Sequence, residues 1–240
     1  MSIPVIITRA EPGASQTGPR VDALGFKPIV SPALTLQMDP EVALPPVEDF
    51  SGVIFTSANG AKFFAELEDD RSLPAWCVGP STAAAARDVG FTEVHESTGN
   101  AVRLAALIAS TIAPPETPML HIANAAAKGD LQRELKMRRY RVKFVPLYRA
   151  DVAPSLDPVV AKMLKDKVQA IMLVHSAKGA NAFVTLTKGL PLSSLTLVAI
   201  STPAAAPLIE AGLSDVHIAA APNERSLLDK LKEAAATLSA

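Results

Sequence analysis

The segment VIITRAEPGASQTGPRVDALGFKPIVSP, from Val5 to Pro32, aligns without a gap against MLHIANAAAKGDLQRELKMRRYRVKFVP, from Met119 to Pro146. The shift is 119 − 5 = 114 residues. Two further pairs follow in the same order. FTSANGAKFF from Phe55 matches VHSAKGANAF from Val174, and VGPSTAAAARDVGFTEVH from Val78 matches ISTPAAAPLIEAGLSDVH from Ile200, with shifts of 119 and 122. A period this long indicates duplication of an α/β unit, not a short-period solenoid. Two similar lobes facing each other would enclose a cleft, where a ligand pocket is most expected.

Within each copy, short β-branched apolar runs alternate with alanine- and leucine-rich amphipathic stretches. The runs predict strands at Val5–Thr8, Lys27–Val30, Gly52–Thr56, Trp76–Gly79, Glu93–His95, Met119–Ala123, Val142–Pro146, Ala170–His175, Leu197–Ile200 and Val216–Ala219. Helices are expected at Gln16–Leu24, Ala58–Leu67, Ser81–Val89, Ala101–Ala109, Gly129–Arg139, Ala177–Leu186, Pro203–Ala211 and Glu224–Thr237. Continuously apolar strands alternating with helices mean parallel sheets covered on both faces, so each lobe should be a small doubly wound, flavodoxin-like sheet. Gly25, Gly90 and Gly212 stand where a helix ends and the next strand begins, as a left-handed C-cap requires.

Periodicity leaves the partition of the chain open. A sequential split would fall near Pro114-Pro115, in the linker-like stretch Ala113–Pro118. In the exchanged alternative, the opening strand–helix–strand of each copy joins the later strands of the other. The segments SPALTL and PLYRA would then be paired extended linkers.

Composition bounds the function classes. The 240 residues divide into halves of about 120, each large enough for its own core. Hydrophobic residues make up 49%, yet no apolar run reaches the roughly 18 residues of a membrane span. The opening MSIPVIITRAEPG lacks the basic-then-apolar pattern of a signal peptide. The single cysteine, Cys77, excludes an internal disulfide and fits a reducing cytoplasm. A net charge of −1 suggests neither a nucleic-acid groove nor a polybasic membrane patch. There is no GxGxxG, GxxxxGK[ST] or GxSxG motif, and His95, His121, His175 and His217 show no metal-ligand spacing. Chemistry without a metal or cofactor is the expectation.

Ligands of open parallel sheets bind at the carboxyl ends of the strands. Small hydroxyl and amide residues recur there: Thr8, Thr56-Ser57 with Asn59, Gly79 with Ser81-Thr82, Asn124, Ser176 and Ser201-Thr202. Each one alone reads as a helix N-cap. As a set in both copies, helix N-termini and hydroxyls read as a cradle for a polyanion. Tyr148 occupies the position where the first copy has Leu34 (34 + 114 = 148), while Tyr140 matches Phe26 and reads as core. A phenol, with an ordinary pKa of about 10, stays protonated at neutral pH and can donate to a departing hydroxide. The bland alternative is a linker tyrosine that packs its ring.

The strand ending in TR, the FTSxN segment, VGxxTAxAxxxxGF, the PLYR segment and a degenerate second VGPxTA copy occur in an order that resembles the uroporphyrinogen-III synthases. The resemblance runs from Val5 to about Leu231. It implies the exchanged arrangement: one lobe of 1–33 plus 150–240, the other of 36–147, and hinge strands at about 31–37 and 145–151. It also implies a cofactor-free monomer that cyclises the linear tetrapyrrole hydroxymethylbilane, an octacarboxylate, with loss of water and inversion of ring D. Tyr148 falls where that family has its catalytic tyrosine. Thr8, Arg9, Thr56, Ser57, Gly79, Ser81, Thr82, Ser176 and Thr202 carry over as substrate-binding positions. Two departures stand out. Ser201 and Pro203 replace the family's glycine and threonine, so Pro203 offers no N–H, and HIANAAAKGD lacks the glycine and arginine common there. Arg9, Lys128 and Lys178 are candidates for the missing positive charge.

Overall fold

A computed structural model describes residues 2–127 and 129–238. They fall into two compact units, one of residues 2–36 plus 150–238 and the other of the described residues within 37–149.

The first unit holds β1 (Pro4–Ile7), α1 (Gly13–Asp22), β2 (Lys27–Val30), α6 (Pro158–Lys165), β9 (Ala170–Val174), α7 (Ala177–Leu186), β10 (Leu195–Ala199), α8 (Thr202–Glu210), β11 (Val216–Ile218) and α9 (Glu224–Leu238). The second holds β4 (Val53–Phe55), α2 (Ala58–Ala65), β5 (Ala75–Cys77), α3 (Pro80–Asp88), β6 (Val94–Glu96), α4 (Ala101–Thr111), β7 (Met119–Asn124) and α5 (Asp130–Met137). The boundary between the units falls inside two strands, β3 (Leu34–Met38) and β8 (Val142–Val152).

The first sheet runs β11-β10-β9-β1-β2, with β1 paired in parallel to both β2 and β9. Its strands are apolar on both faces because both faces are covered. Ile6, Met172 and Leu197 pack with Val160, Leu164, Phe183 and Leu208 of α6, α7 and α8. On the other face Val5, Ile7, Leu173 and Val198 pack with Val21 of α1 and Leu227 and Leu231 of α9. The alternation of Val5, Ile6 and Ile7 between these clusters is the two-residue period of a strand. Removing a side chain such as Phe183 would leave a cavity at a cost of about 3–5 kcal/mol.

The second sheet runs β3-β8-β7-β4-β5-β6. On one face Ile54, Trp76 and Met119 meet α4 and α5 through Leu104, Ile108, Leu131 and Leu135. On the other Phe55, Phe64 and Phe91 form an edge-to-face cluster, with the Arg71 guanidinium over Phe64 and Phe91. The architecture is that of an α/β protein with two sheets whose central strands run parallel.

Gly25, Gly90 and Gly212 have φ of 84°, 102° and 97°. Each is followed by an N–H bonded back six residues in all, Phe26 to Val21, Phe91 to Ala86 and Leu213 to Leu208. This is the Schellman ending, which needs a left-handed residue. Three elements depart from what the apolar runs alone predict, although for two of them, β3 and β8, the resemblance implies hinge strands at about 31–37 and 145–151. α6 was not expected, although Asp157 accepts from the N–H groups of Val159 and Val160 and Pro158 opens the helix. The repeat alone makes the β3 segment an extended linker of one alternative. β8 runs on to Val152 instead of stopping at Pro146, because the proline is absorbed by a bulge: Val145 pairs with Ile122, but Tyr148, not Leu147, pairs with Asn124.

Candidate active site

In the second unit the bulge in β8 decides which side chain meets the carboxyl end of β7. The extra residue shifts the register by one, so Tyr148 stands opposite Asn124, and its carbonyl accepts from the Ala125 N–H at 2.8 Å. Tyr148 is 3% exposed. Its ring stacks on Phe63 of α2 at 5.0 Å and 26°. Burial pushes the phenol above its ordinary pKa, and a hydrogen bond with the Ser57 side chain offsets part of that. The group is therefore a neutral donor across the physiological range.

Ser57 is the N-cap of α2, with extended backbone (φ −155°) and a hydroxyl that accepts from the Asn59 N–H at 3.3 Å. A hydroxyl that accepts in capping still has its proton to give. Beside it, Thr56 Oγ1 lies 3.2 Å from His121 Nε2. Gly79 caps α3 in extended conformation, Ser81 is exposed in the first turn, and Thr82 is buried with its N–H bonded to the Gly79 carbonyl. A Cβ on Gly79 would find its nearest neighbour at 3.8 Å, so space does not demand glycine there. Asn124 turns its side chain back onto the Ala126 N–H.

In the first unit the expected residues divide differently. Thr8 is 2% exposed and donates to the Leu173 carbonyl of β9 at 3.2 Å, a hydroxyl committed to joining two strands. Arg9 is held by Glu224: its NH1 is 3.1 Å from Oε2 and 3.4 Å from Thr17 Oγ1. The guanidinium packs against Gly13, where an added Cβ would sit 2.3 Å from Nε. Glu224 opens α9 and also accepts from Thr17 at 2.6 Å and meets His175 Nε2 at 3.2 Å. Burial alone would raise this carboxyl; the hydrogen bonds from His175 and Thr17 and the charges of His175 and Arg9 outweigh it and hold the pKa at about 2. Ser176 caps α7 through the Gly179 N–H at 3.1 Å and is otherwise exposed. Thr202 is exposed at the start of α8, whose cap Ser201 makes no side-chain capping bond and whose first turn contains Pro203. Lys178 is exposed on α7. Lys128 lies outside the described residues.

Sequence reasoning missed Phe63, His121, His175 and Glu224. Glu224 lies 215 residues from Arg9, and no local pattern announces such a pairing. His175 stands just before a cap serine at a strand's carboxyl end, a signal that was available. The other two histidines are structural: His95 stacks on Trp76 at 3.9 Å, and His217 pairs with Asp215 at 3.1 Å. Cys77 is buried in β5 and its thiol is pushed up to about 12, so it is unreactive. Among the described residues no cluster of three or more His, Cys, Asp or Glu could hold a metal ion, and no helix is long and apolar enough to cross a membrane.

The sequence profile of the family described as uroporphyrinogen-III synthase HemD matches residues 15–229. The chain belongs to the uroporphyrinogen-III synthase family. A curated relative, the porphyrin biosynthesis protein HemD of Ruminiclostridium josui, is 24% identical over 243 residues, covering 95% of this chain. The chain spans about half of that relative's length, 48%. The crystal structure of uroporphyrinogen-III synthetase from Helicobacter pylori 26695 superposes with a TM-score of 0.65 at 19% identity, covering 97% of this chain and 99% of the other. At that identity the likeness speaks for a shared fold.

Proposed function

We propose that this member of the family cyclises hydroxymethylbilane to uroporphyrinogen III, acting as a cytoplasmic monomer without a cofactor. The observation that carries the reading is the Tyr148 phenol: buried, held neutral, bonded to Ser57 and aimed by a bulge at a strand's carboxyl end. In this scheme Tyr148 gives its proton to the leaving hydroxyl of the bilane, which departs as water and leaves an azafulvene cation. The substituted carbon of ring D attacks that cation, and the resulting spiro intermediate fragments and recloses with ring D inverted. The closing step releases a proton from the newly bonded pyrrole carbon, which restores the phenol. Nothing is oxidised or reduced; the sum is bilane to macrocycle plus water. A phenol can serve the first step because it is protonated at neutral pH and placed to donate, and a positioned general acid contributes roughly 10²–10⁴-fold.

Eight substrate carboxylates need donors, since ionised carboxylates only accept. The first turns of α2, α3, α7 and α8 supply backbone N–H groups and the hydroxyls of Ser57, Ser81, Ser176 and Thr202. Thr56, Gly79, Thr82, Thr8 and Arg9 complete the proposed binding set. Thr8 and Thr82 are buried, so their part is to shape the end of β1 and the first turn of α3. A rival reading, tetrapyrrole or anion binding without chemistry, draws on Pro203, which removes one donor from the α8 turn.

The test is to generate hydroxymethylbilane in situ, add the protein, oxidise the products and separate the porphyrin isomers. Predominant type III isomer is the expected result. Type I isomer alone, at the spontaneous rate with folded protein, would leave only the binding reading.

A further inference from the structure

His121 is 1% exposed on β7, which lies between β4 and β8. Its ring meets Phe144 edge-on at 5.4 Å and 61°, its Nε2 is 3.2 Å from Thr56 Oγ1, and its Nδ1 is buried with no hydrogen-bond partner among the described residues. These facts assign the proton. A neutral imidazole has one N–H and one bare lone pair. A buried N–H without an acceptor is rarer in folded proteins than a buried acceptor without a donor, and it forfeits a full hydrogen bond. The proton therefore belongs on Nε2, where Thr56 can receive it, and the lone pair on Nδ1, against apolar surroundings. Burial also lowers the imidazole pKa to about 4, so the ring is uncharged at neutral pH.

The consequence lies at Thr56, a half-buried residue at the exit of β4 beside Ser57. If Nε2–H donates, Oγ1 must accept, and its own proton stays available, because the hydroxyl makes no other hydrogen bond among the described residues. We propose that His121 is a positioning residue that fixes the Thr56 hydroxyl as a hydrogen-bond donor to a substrate carboxylate. Without the imidazole the hydroxyl is free to rotate and to spend its proton on the protein. The inference rests on the synthase reading for the identity of the ligand, and on the geometry alone for the direction of the hydrogen bond.

Two measurements test it. In the ¹⁵N-labelled wild-type protein, two-bond ¹⁵N–¹H correlations of the four imidazoles at pH 7 report each tautomer directly. His121 as the neutral Nε2–H form is expected; an Nδ1–H form or an imidazolium overturns the proposal. This needs neither turnover nor a folded variant. In the isomer assay, His121→Leu should raise KM about three- to tenfold with kcat within about twofold, the size of one neutral hydrogen bond lost from uniform binding. His121→Gln, which keeps an N–H donor, should recover part of that. In a Thr56→Val background, His121→Leu should have no further effect on KM. Additive losses, or no rescue by Gln, would mean that the histidine only packs. Absence of type III product from wild type would remove the synthase reading, and the tautomer would still judge the hydrogen bond.

Discussion

Ser57 and Ser176 occupy matched positions of the sequence repeat and do the same local job, yet their neighbourhoods differ. Both have extended backbone, with φ of −155° and −162°, and both cap the following helix through the hydroxyl. Around Ser57 the polar partners are neutral: a raised-pKa phenol, a threonine and an imidazole lowered to about 4. Around Ser176 they are ionic. His175, matched to Thr56 in the repeat, meets Glu224, which also holds Arg9. The caps belong to the scaffold, since any helix leaving a strand must satisfy its first N–H groups. What differs is what stands beside them, a buried neutral phenol in one unit and an ion cluster in the other.

The ion cluster offers the largest effect. Because the Glu224 carboxyl is held at about 2 against an ordinary 4.5, its contribution to stability is present above about pH 4.5 and is lost as the pH falls towards 2. Glu224→Gln should therefore cost up to about 3 kcal/mol at pH 7 and flatten the acid limb of the stability profile. Urea denaturation at pH 7 and pH 3 checks this. An unchanged acid limb would mean that the cluster is a loose surface pair, and the contrast between the units would weaken.

Replacing the two caps sharpens the comparison. Ser57→Ala and Ser176→Ala should each lose about 1 kcal/mol of stability, the usual worth of an N-cap. Only Ser57→Ala should also lower kcat, through the lost partner of Tyr148, whereas Ser176→Ala, which loses one proposed carboxylate donor, should act on KM alone. Equal losses of kcat in the two variants would contradict the proposal that the proton donor sits in the second unit.

The smallest effect concerns Gly13. An added methyl would occupy the place of the Arg9 guanidinium, the end of a flexible side chain that can swing away. Gly13→Ala should break the Arg9–Glu224 pair at a cost of about 1 kcal/mol or less, as for a partly exposed ion pair. Combined with Glu224→Gln it should add almost nothing. Full additivity in denaturation would show that the glycine serves another purpose.

The legibility of the sequence follows the range of the interactions. Strand and helix alternation and the three glycine C-caps were readable because their signals are local, as the Schellman bonds of Phe26, Phe91 and Leu213 bear out. The pairing of β1 with β9 joins Val5 to Ile171, and no periodicity carries such a contact. The apolar run alone hides the extension of β8 past Pro146, because proline usually ends a strand and only a bulge lets it continue, whereas the resemblance implies a hinge strand at about 145–151. Tyr148 could be singled out from a break in repeat symmetry. The residues that act on it or on its neighbours, Phe63 and His121, carry no mark in the sequence, because their meaning comes from which strands are adjacent. Arg9 looked like a spare cation only because Glu224 is so distant along the chain.

The most direct test of the account is a single-turnover comparison of Tyr148→Phe with wild type, following hydroxymethylbilane loss and the type III fraction in the same quenched samples. The account predicts a rate lower by roughly tenfold or more in a protein with unchanged thermal stability, the low end of a positioned general acid's contribution. A wild-type rate and a wild-type isomer ratio in that variant would contradict it and remove the phenol from the mechanism.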